Sequence, residues 1–125
     1  MNGLVLDAGA LIAFERADRR FLAIVAQALA HGDRLTVPAG VVAQVWRNGR
    51  KQVRLARLLA SPIVDVETFT DTRARAAGQL CGASKTKDVV DAAVILCART
   101  LGVGIATSDV GDLSRLDPRV RLVHI

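Results

Sequence analysis

The stretch Asp88-Val89-Val90-Asp91-Ala92-Ala93-Val94-Ile95-Leu96-Cys97-Ala98 decides how the chain is read. Two aspartates three positions apart open a nearly unbroken apolar run. That pattern predicts a buried helix from about Asp88 to Leu101, with Gly102 as its C-terminal stop. The first turn of a helix exposes N–H groups without intrahelical partners, so capping alone accounts for acids there. A chemical role requires further acids to arrive at the same place.

Two short apolar runs supply them. Leu4-Val5-Leu6-Asp7 passes straight into the helical pattern Ala8–Phe14, and Gly104-Ile105-Ala106-Thr107 ends in Ser108-Asp109. An acid that leaves a strand directly into a helix lies at the strand's C-terminal edge, where open α/β sheets bind ligands. Arg34–Val37, Ile63–Val66 and Val120–His124 complete a set of five predicted strands.

Helical patterns fill the gaps. Asp18 caps a helix whose Phe21, Leu22, Val25 and Leu29 recur at helical spacing. Pro38 opens the next, which carries Val41, Val42, Gln44, Val45 and Trp46 and ends at Asn48-Gly49; the spacing assigns Trp46 to the core. Arg50–Leu59 pairs an apolar face with a cationic one and breaks at Ser61-Pro62. Thr68 and Asp71 are read as a capping box for a helix reaching Cys81. Gly82–Lys87 is a polar, basic loop. Strands alternating with helices imply a mainly parallel sheet covered on both faces, wound right-handedly. No repeat, linker or low-complexity tract divides the chain, so residues 1–125 form a single domain.

Bulk properties narrow the function. At 125 residues the chain is long enough for a real core, and 51% of it is apolar with only 3% aromatic. The core is therefore expected to be built of small aliphatic residues. The apolar runs are too short and interrupted for a membrane span, and the N-terminus lacks a basic segment followed by an apolar one, so the expected location is cytoplasmic. Cys81 and Cys97 stand in helical patterns without metal spacing and read as buried thiols. The formal charge of +5 suits a polyanionic partner, RNA or DNA first.

If the first and fourth strands are neighbours, Asp7, Asp109 and Asp91, with Asp88, meet at one edge of the sheet. Carboxylates gathered so closely resist joint ionisation unless a cation joins them. Hard oxygen donors suit Mg²⁺ or Mn²⁺ rather than zinc. A divalent ion beside a basic surface suggests phosphodiester hydrolysis with activated water and no covalent nucleophile.

The motifs resemble those of a known family. Val5-Leu-Asp-Ala-Gly-Ala-Leu-Ile12, Val37-Pro-Ala-Gly-Val-Val-Ala-Gln-Val-Trp46, Asp88-Val-Val-Asp-Ala-Ala93 and Ala106-Thr-Ser-Asp109 are similar, in order, to the acidic motifs of PIN-domain ribonucleases. Length and order resemble the VapC toxins of bacterial toxin–antitoxin pairs. The resemblance implies a three-layer α/β/α PIN-like fold with sheet order 3-2-1-4-5. It implies a Mg²⁺-dependent endoribonuclease cleaving structured RNA such as tRNA or rRNA, a VapB-type antitoxin partner, and a homodimer. Carried over by position, Asp7, Asp91 and Asp109 are the catalytic metal ligands, and Asp88 and Asp112 match extra acids.

One position departs from the pattern. The family usually has Glu where this chain has Gln44, which keeps an oxygen donor but loses a charge; Asp88, one turn from Asp91, is the candidate to replace that charge. Thr107 and Ser108 offer hydroxyls to orient water or a phosphate oxygen, with turn chemistry as the ordinary alternative. Lys85 and Lys87 flank the expected site and are candidate RNA contacts, as are Arg47 and Arg50, for which a solvated helix face is the bland reading. Neither His31 nor His124 is assigned a catalytic role. Gln44 also favours the rival function, a catalytically silent PIN-like module that binds RNA or protein. A phosphoacceptor receiver lacks its acid pair and late lysine here, a haloacid-dehalogenase-type phosphatase lacks Asp-x-Asp, and dinucleotide binding lacks a glycine-rich first turn.

Overall fold

The computed structural model of the chain describes residues 3–125. Five strands, β1 (Gly3–Leu6), β2 (Arg34–Pro38), β3 (Val64–Glu67), β4 (Gly104–Thr107) and β5 (Leu122–His124), form one sheet in the order β3-β2-β1-β4-β5. Every pairing is parallel. The sheet order is the one the family resemblance implied. The pairing of β1 with β4, in the register Leu6↔Ala106, sets Asp7 and Thr107 side by side at one edge.

Among the described residues seven helices cover the sheet: α1 (Ala8–Glu15), α2 (Arg19–His31), α3 (Ala39–Val45), α4 (Val53–Leu59), α5 (Asp71–Ser84), α6 (Val89–Leu101) and α7 (Val110–Leu116). Right-handed crossovers leftward through β2 and β3 put α1–α4 on one face; the return through β4 and β5 puts α5–α7 on the other.

Helix α6 is the centre of the second layer. Ala92, Ala93, Val94, Ile95, Cys97 and Ala98 are buried in it. It packs on β1, β2 and β4, and its small residues let α5 approach closely, with Ala77, Cys81 and Ala92 forming a separate seam. Between α1–α4 and the sheet lie Leu11, Phe21, Val25 and Val41, and Phe14 meets Phe21 edge-on at 6.3 Å. All four residues of β4 are buried, as expected for a strand covered on both faces. Both cysteines are free and buried. Among the described residues no helix is long and apolar enough to cross a membrane.

Several local expectations are corrected. The cap of α5 is Thr70, whose side chain accepts from the Arg73 N–H at 3.1 Å; Thr68 does not serve. Helix α5 continues through Ser84, three residues past Cys81, because Lys85 ends it in a left-handed conformation at φ 56°. Helix α3 stops at Val45, before Asn48-Gly49, and Trp46 turns extended and is 38% exposed rather than core. The indole lies over Gly49, where an added Cβ would come within 2.8 Å of it. Arg50 and Lys51 belong to the turn before α4, not to the helix.

Candidate metal centre

Three of the side-chain-capped helices begin at the same edge of the sheet. Asp7 caps α1, accepting from the Ala10 N–H at 3.0 Å; Asp88 caps α6, accepting from Asp91 at 2.9 Å; Asp109 caps α7, accepting from Asp112 at 3.3 Å. Capping and convergence are therefore the same fact. The sequence places a carboxylate where each helix needs one, and the sheet brings the helix starts together.

Thr107, at the end of β4, ties two of these acids. Its buried hydroxyl donates to the second carboxylate oxygen of Asp7 and accepts from the Asp109 N–H at 2.8 Å. Of the two readings the sequence left open for this hydroxyl, water or phosphate and turn chemistry, the bond to the Asp109 N–H is the second, and the bond to Asp7 adds a tie between the two acids. Ser108, by contrast, is exposed and packs against Gly9. An added Cβ at Gly9 would overlap the Ser108 hydroxyl and stand only 3.0 Å from its Cβ and 3.1 Å from its backbone nitrogen. Gly9 is needed for this close approach, which the sequence alone did not disclose.

Asp91, Asp109 and Asp112 offer carboxylate oxygens that all lie within 4.8 Å of one another. Asp112, read from sequence as a supporting acid, thus stands with the principal ones. Asp7 lies deeper, 6% exposed, and its charge still reaches Asp91 and Asp109. Among the described residues, Asp7, Asp91 and Asp109 have no Lys or Arg at ion-pair distance; Asp112 pairs with Arg115 at 3.0 Å.

Uncompensated charge shows in the titration of the site. Burial, then the neighbouring charge and hydrogen bond of Asp88, then the charges of Asp109 and Asp7, push the Asp91 carboxyl up to about 7. Burial also raises Asp7, opposed mainly by the hydrogen bonds from Thr107 and Ala10. A bound divalent cation would reverse both shifts. The donor set consists of oxygens alone, so it fits Mg²⁺ or Mn²⁺.

A pocket of about 270 Å³ opens beside the acids, lined by Lys85, Thr86, Asp88, Asp91, Asp112 and Arg115 among others. Lys85, which ends α5 in the left-handed conformation, is part of the pocket lining. Arg115 was missed from sequence; its signal was its place one turn after Asp112 on α7. Lys87 is exposed and immediately precedes Asp88. Arg47 and Arg50 do not line this pocket. The Arg47 guanidinium folds back onto the end of α3, donating to the carbonyls of Ala43 and Trp46 at 3.1 and 2.7 Å. Gln44 is exposed on α3, one turn after Gly40, which faces Val90 at the start of α6. Glu15 is turned to Gln52, whose side-chain amide donates to it at 3.2 Å.

Comparison with solved structures places this geometry. The chain is similar to that of VapBC2 from Rickettsia felis, solved on a promoter DNA fragment, with 13% identity, a TM-score of 0.74 and 98% of each chain covered. FitAcB from Neisseria gonorrhoeae shares 19% identity with a TM-score of 0.68, covering 97% of this chain and 96% of the other. FitAB bound to the IR36 DNA fragment gives 18%, 0.68, 97% and 94%. These likenesses are of fold. No curated protein matches the sequence significantly. The sequence pattern of the PIN domain does match, over residues 4–117, and the chain belongs to the PIN domain family.

Proposed function

We propose that this PIN domain is a VapC-like toxin: a Mg²⁺- or Mn²⁺-dependent endoribonuclease that cleaves structured RNA such as tRNA or rRNA. One observation carries the reading. Asp91 and Asp109 converge with Asp112 while Asp7 is held beside them, and the first two and Asp7 lack any cationic partner among the described residues. Such a cluster is costly unless its purpose is to hold a cation. When bound, that cation supplies charge neutralisation at the scissile phosphate and acidifies the attacking water.

The chain's own residues do the rest. Thr107 fixes the spacing of Asp7 and Asp109, and Asp88 sets the start of the helix that presents Asp91. Lys85 and Arg115 on the pocket wall attract and orient the phosphate backbone beside the acids. Lys87 extends that cationic rim.

The motif resemblance to VapC toxins supports a toxin role with a small VapB-type antitoxin, a homodimeric state and a cytoplasmic setting, and the fold likeness to chains of VapBC2 and FitAB fits the toxin and its antitoxin partner. Exposed apolar Ile12, Trp46 and Val53 on and beside the packed helices α1, α3 and α4 offer a protein partner apolar surface.

Gln44 supports the second reading, a PIN module that binds RNA without cutting it. Incubation of the purified protein with total tRNA and rRNA separates the two. Cleavage that requires Mg²⁺ or Mn²⁺ and is lost in Asp91→Asn is expected; metal-loaded wild-type protein that binds RNA and never cuts it establishes the silent module.

A further inference from the structure

An acidic centre repels the polyanion it is to cut, so cations beyond Lys85 and Arg115 on the pocket wall would add to RNA affinity. The end of the sheet opposite the acids carries such a group. Arg99, Arg119 and Arg121 line a pocket of about 410 Å³ with Gly102, Gly104 and Val120. It lies where α6 ends and β4 begins, one strand length from Asp109, on the order of 13 Å for four residues.

The three arginines are not equivalent. Arg99 is paired with buried Asp117 at 2.7 Å. The same carboxylate accepts from the Arg119 N–H at 2.9 Å and so fixes the backbone that enters β5. Arg119 and Arg121 have no carboxylate at ion-pair distance among the described residues. Arg121 lies across Gly104, where an added Cβ would stand 2.9 Å from its Nε. The missing side chain gives the guanidinium a seat against the sheet, and Ile105 pins the backbone by donating to the Arg121 carbonyl at 2.9 Å. Arg121 is thus seated on the rigid edge without an ion pair among the described residues; Arg119 lines the same pocket with no carboxylate at ion-pair distance, although its charge still reaches Asp117, and Arg99 is already balanced by that carboxylate. Planar guanidinium forks match phosphate oxygens.

We infer that Arg119 and Arg121 form a remote anchor for the RNA phosphate backbone, binding the same strand a few nucleotides from the scissile position. The inference rests on the reading that RNA is the substrate. Such an anchor makes sequence-independent contacts, and binding energy gained there holds the strand against the repulsion of the acids.

The test is RNA affinity as a function of salt, without divalent metal, for the whole protein and the Arg119→Gln/Arg121→Gln variant. Two probes are used, a short RNA stem-loop and a trinucleotide too small to span both ends of the sheet. Removing two phosphate contacts is expected to lower the slope of log affinity against log salt by about 2 for the stem-loop. The trinucleotide should bind both proteins equally, and a thermal melt should show the variant folded. Arg115→Gln serves as the comparison at the catalytic end and should weaken both probes. An unchanged slope for the stem-loop, or an equal loss for both probes, overturns the anchor. Because no cleavage is read, a failed anchor leaves the nuclease assay intact, and a silent catalytic centre leaves the anchor testable.

Discussion

The two ends of the parallel sheet carry opposite charge. Where the strands end, Asp7 and Asp109 leave β1 and β4, and Asp91 and Asp112 join them. Where the strands begin, Arg34 starts β2 and Arg121 leads into β5, with Arg99 and Arg119 nearby. Helix polarity contributes to both. Acids are favourable at the N-termini of α1, α6 and α7, and a cation is favourable in the last turn of α6. The satisfaction of charge differs, however. At the basic end Arg34 is paired with Asp65 and Arg99 with Asp117, while Arg119 and Arg121 have no ion pair among the described residues. At the acidic end Asp112 is paired with Arg115, but Asp7, Asp91 and Asp109 feel one another's charge with no cation at ion-pair distance among the described residues. A protein tolerates such repulsion where a ligand relieves it, so the contrast locates chemistry at one end and, at most, binding at the other.

The largest expected effect falls on the acidic end. Asp91→Asn or Asp109→Asn should lower the cleavage rate by roughly 10²- to 10³-fold, the scale of losing one preorganised electrostatic contact, while RNA binding in the absence of metal is kept or improved. Loss of binding in step with cleavage would erase the division between the two ends. Gly9→Ala follows. Its methyl group must push Ser108, and with it Asp109, so a cleavage loss of about 100-fold is expected with the fold retained. Wild-type rates in this variant would show that the spacing of Asp7 and Asp109 tolerates movement.

Acidity gives a third, smaller effect. Asp91 has its folded-state pKa raised from 3.8 to about 7. Its contribution to stability is therefore greatest below the unfolded value and is lost as the pH rises from about 4 through 7. The metal-free protein should melt higher at pH 5 than at pH 8, apart from other groups, and Asp91→Asn should flatten that difference. Discounted for partial solvent screening, the loss at pH 8 is about 1 kcal/mol, or roughly 4 °C in Tm. Mg²⁺ should recover it, raising Tm more at pH 8 than at pH 5, because metal binding needs the ionised carboxylate. Equal Mg²⁺ shifts at both pH values would count against Asp91 as a ligand.

The smallest effect is expected at Gln44. Gln44→Glu adds one charge on α3 near the start of α6, and a several-fold gain in Mg²⁺ affinity is expected. No change in affinity or cleavage would remove this position from the site.

The aspartates were legible in the sequence because each does a local job. Asp7 and Asp109 stand where short apolar runs end, Asp88 stands where a polar loop gives way to an apolar helix, and an N-cap is written in a few adjacent residues. Trp46 was misread for the complementary reason. Its spacing from Val42 is helical, but α3 ends at Val45 and its last carbonyls are met by Arg47 and Gln52 from the following turn. The side-chain amide of Gln52 also accepts from the N–H groups of Arg47 and Asn48 at 2.7 and 2.9 Å. Helical periodicity carries no information about that tie.

By itself the sequence determined the alternation of strands and helices, the caps Asp18 and Asp88 and the apolar face of α6, since these follow from neighbours within a few residues. Only the tertiary structure decided that Thr107 bridges Asp7 to Asp109, that Gly9 makes room for Ser108, and that Asp112 joins Asp91 while Arg119 and Arg121 line a pocket at the far edge with no ion pair among the described residues. The physical reason is distance along the chain. Asp7 and Thr107 are 100 residues apart, and only the pairing of β1 with β4 fixes their contact.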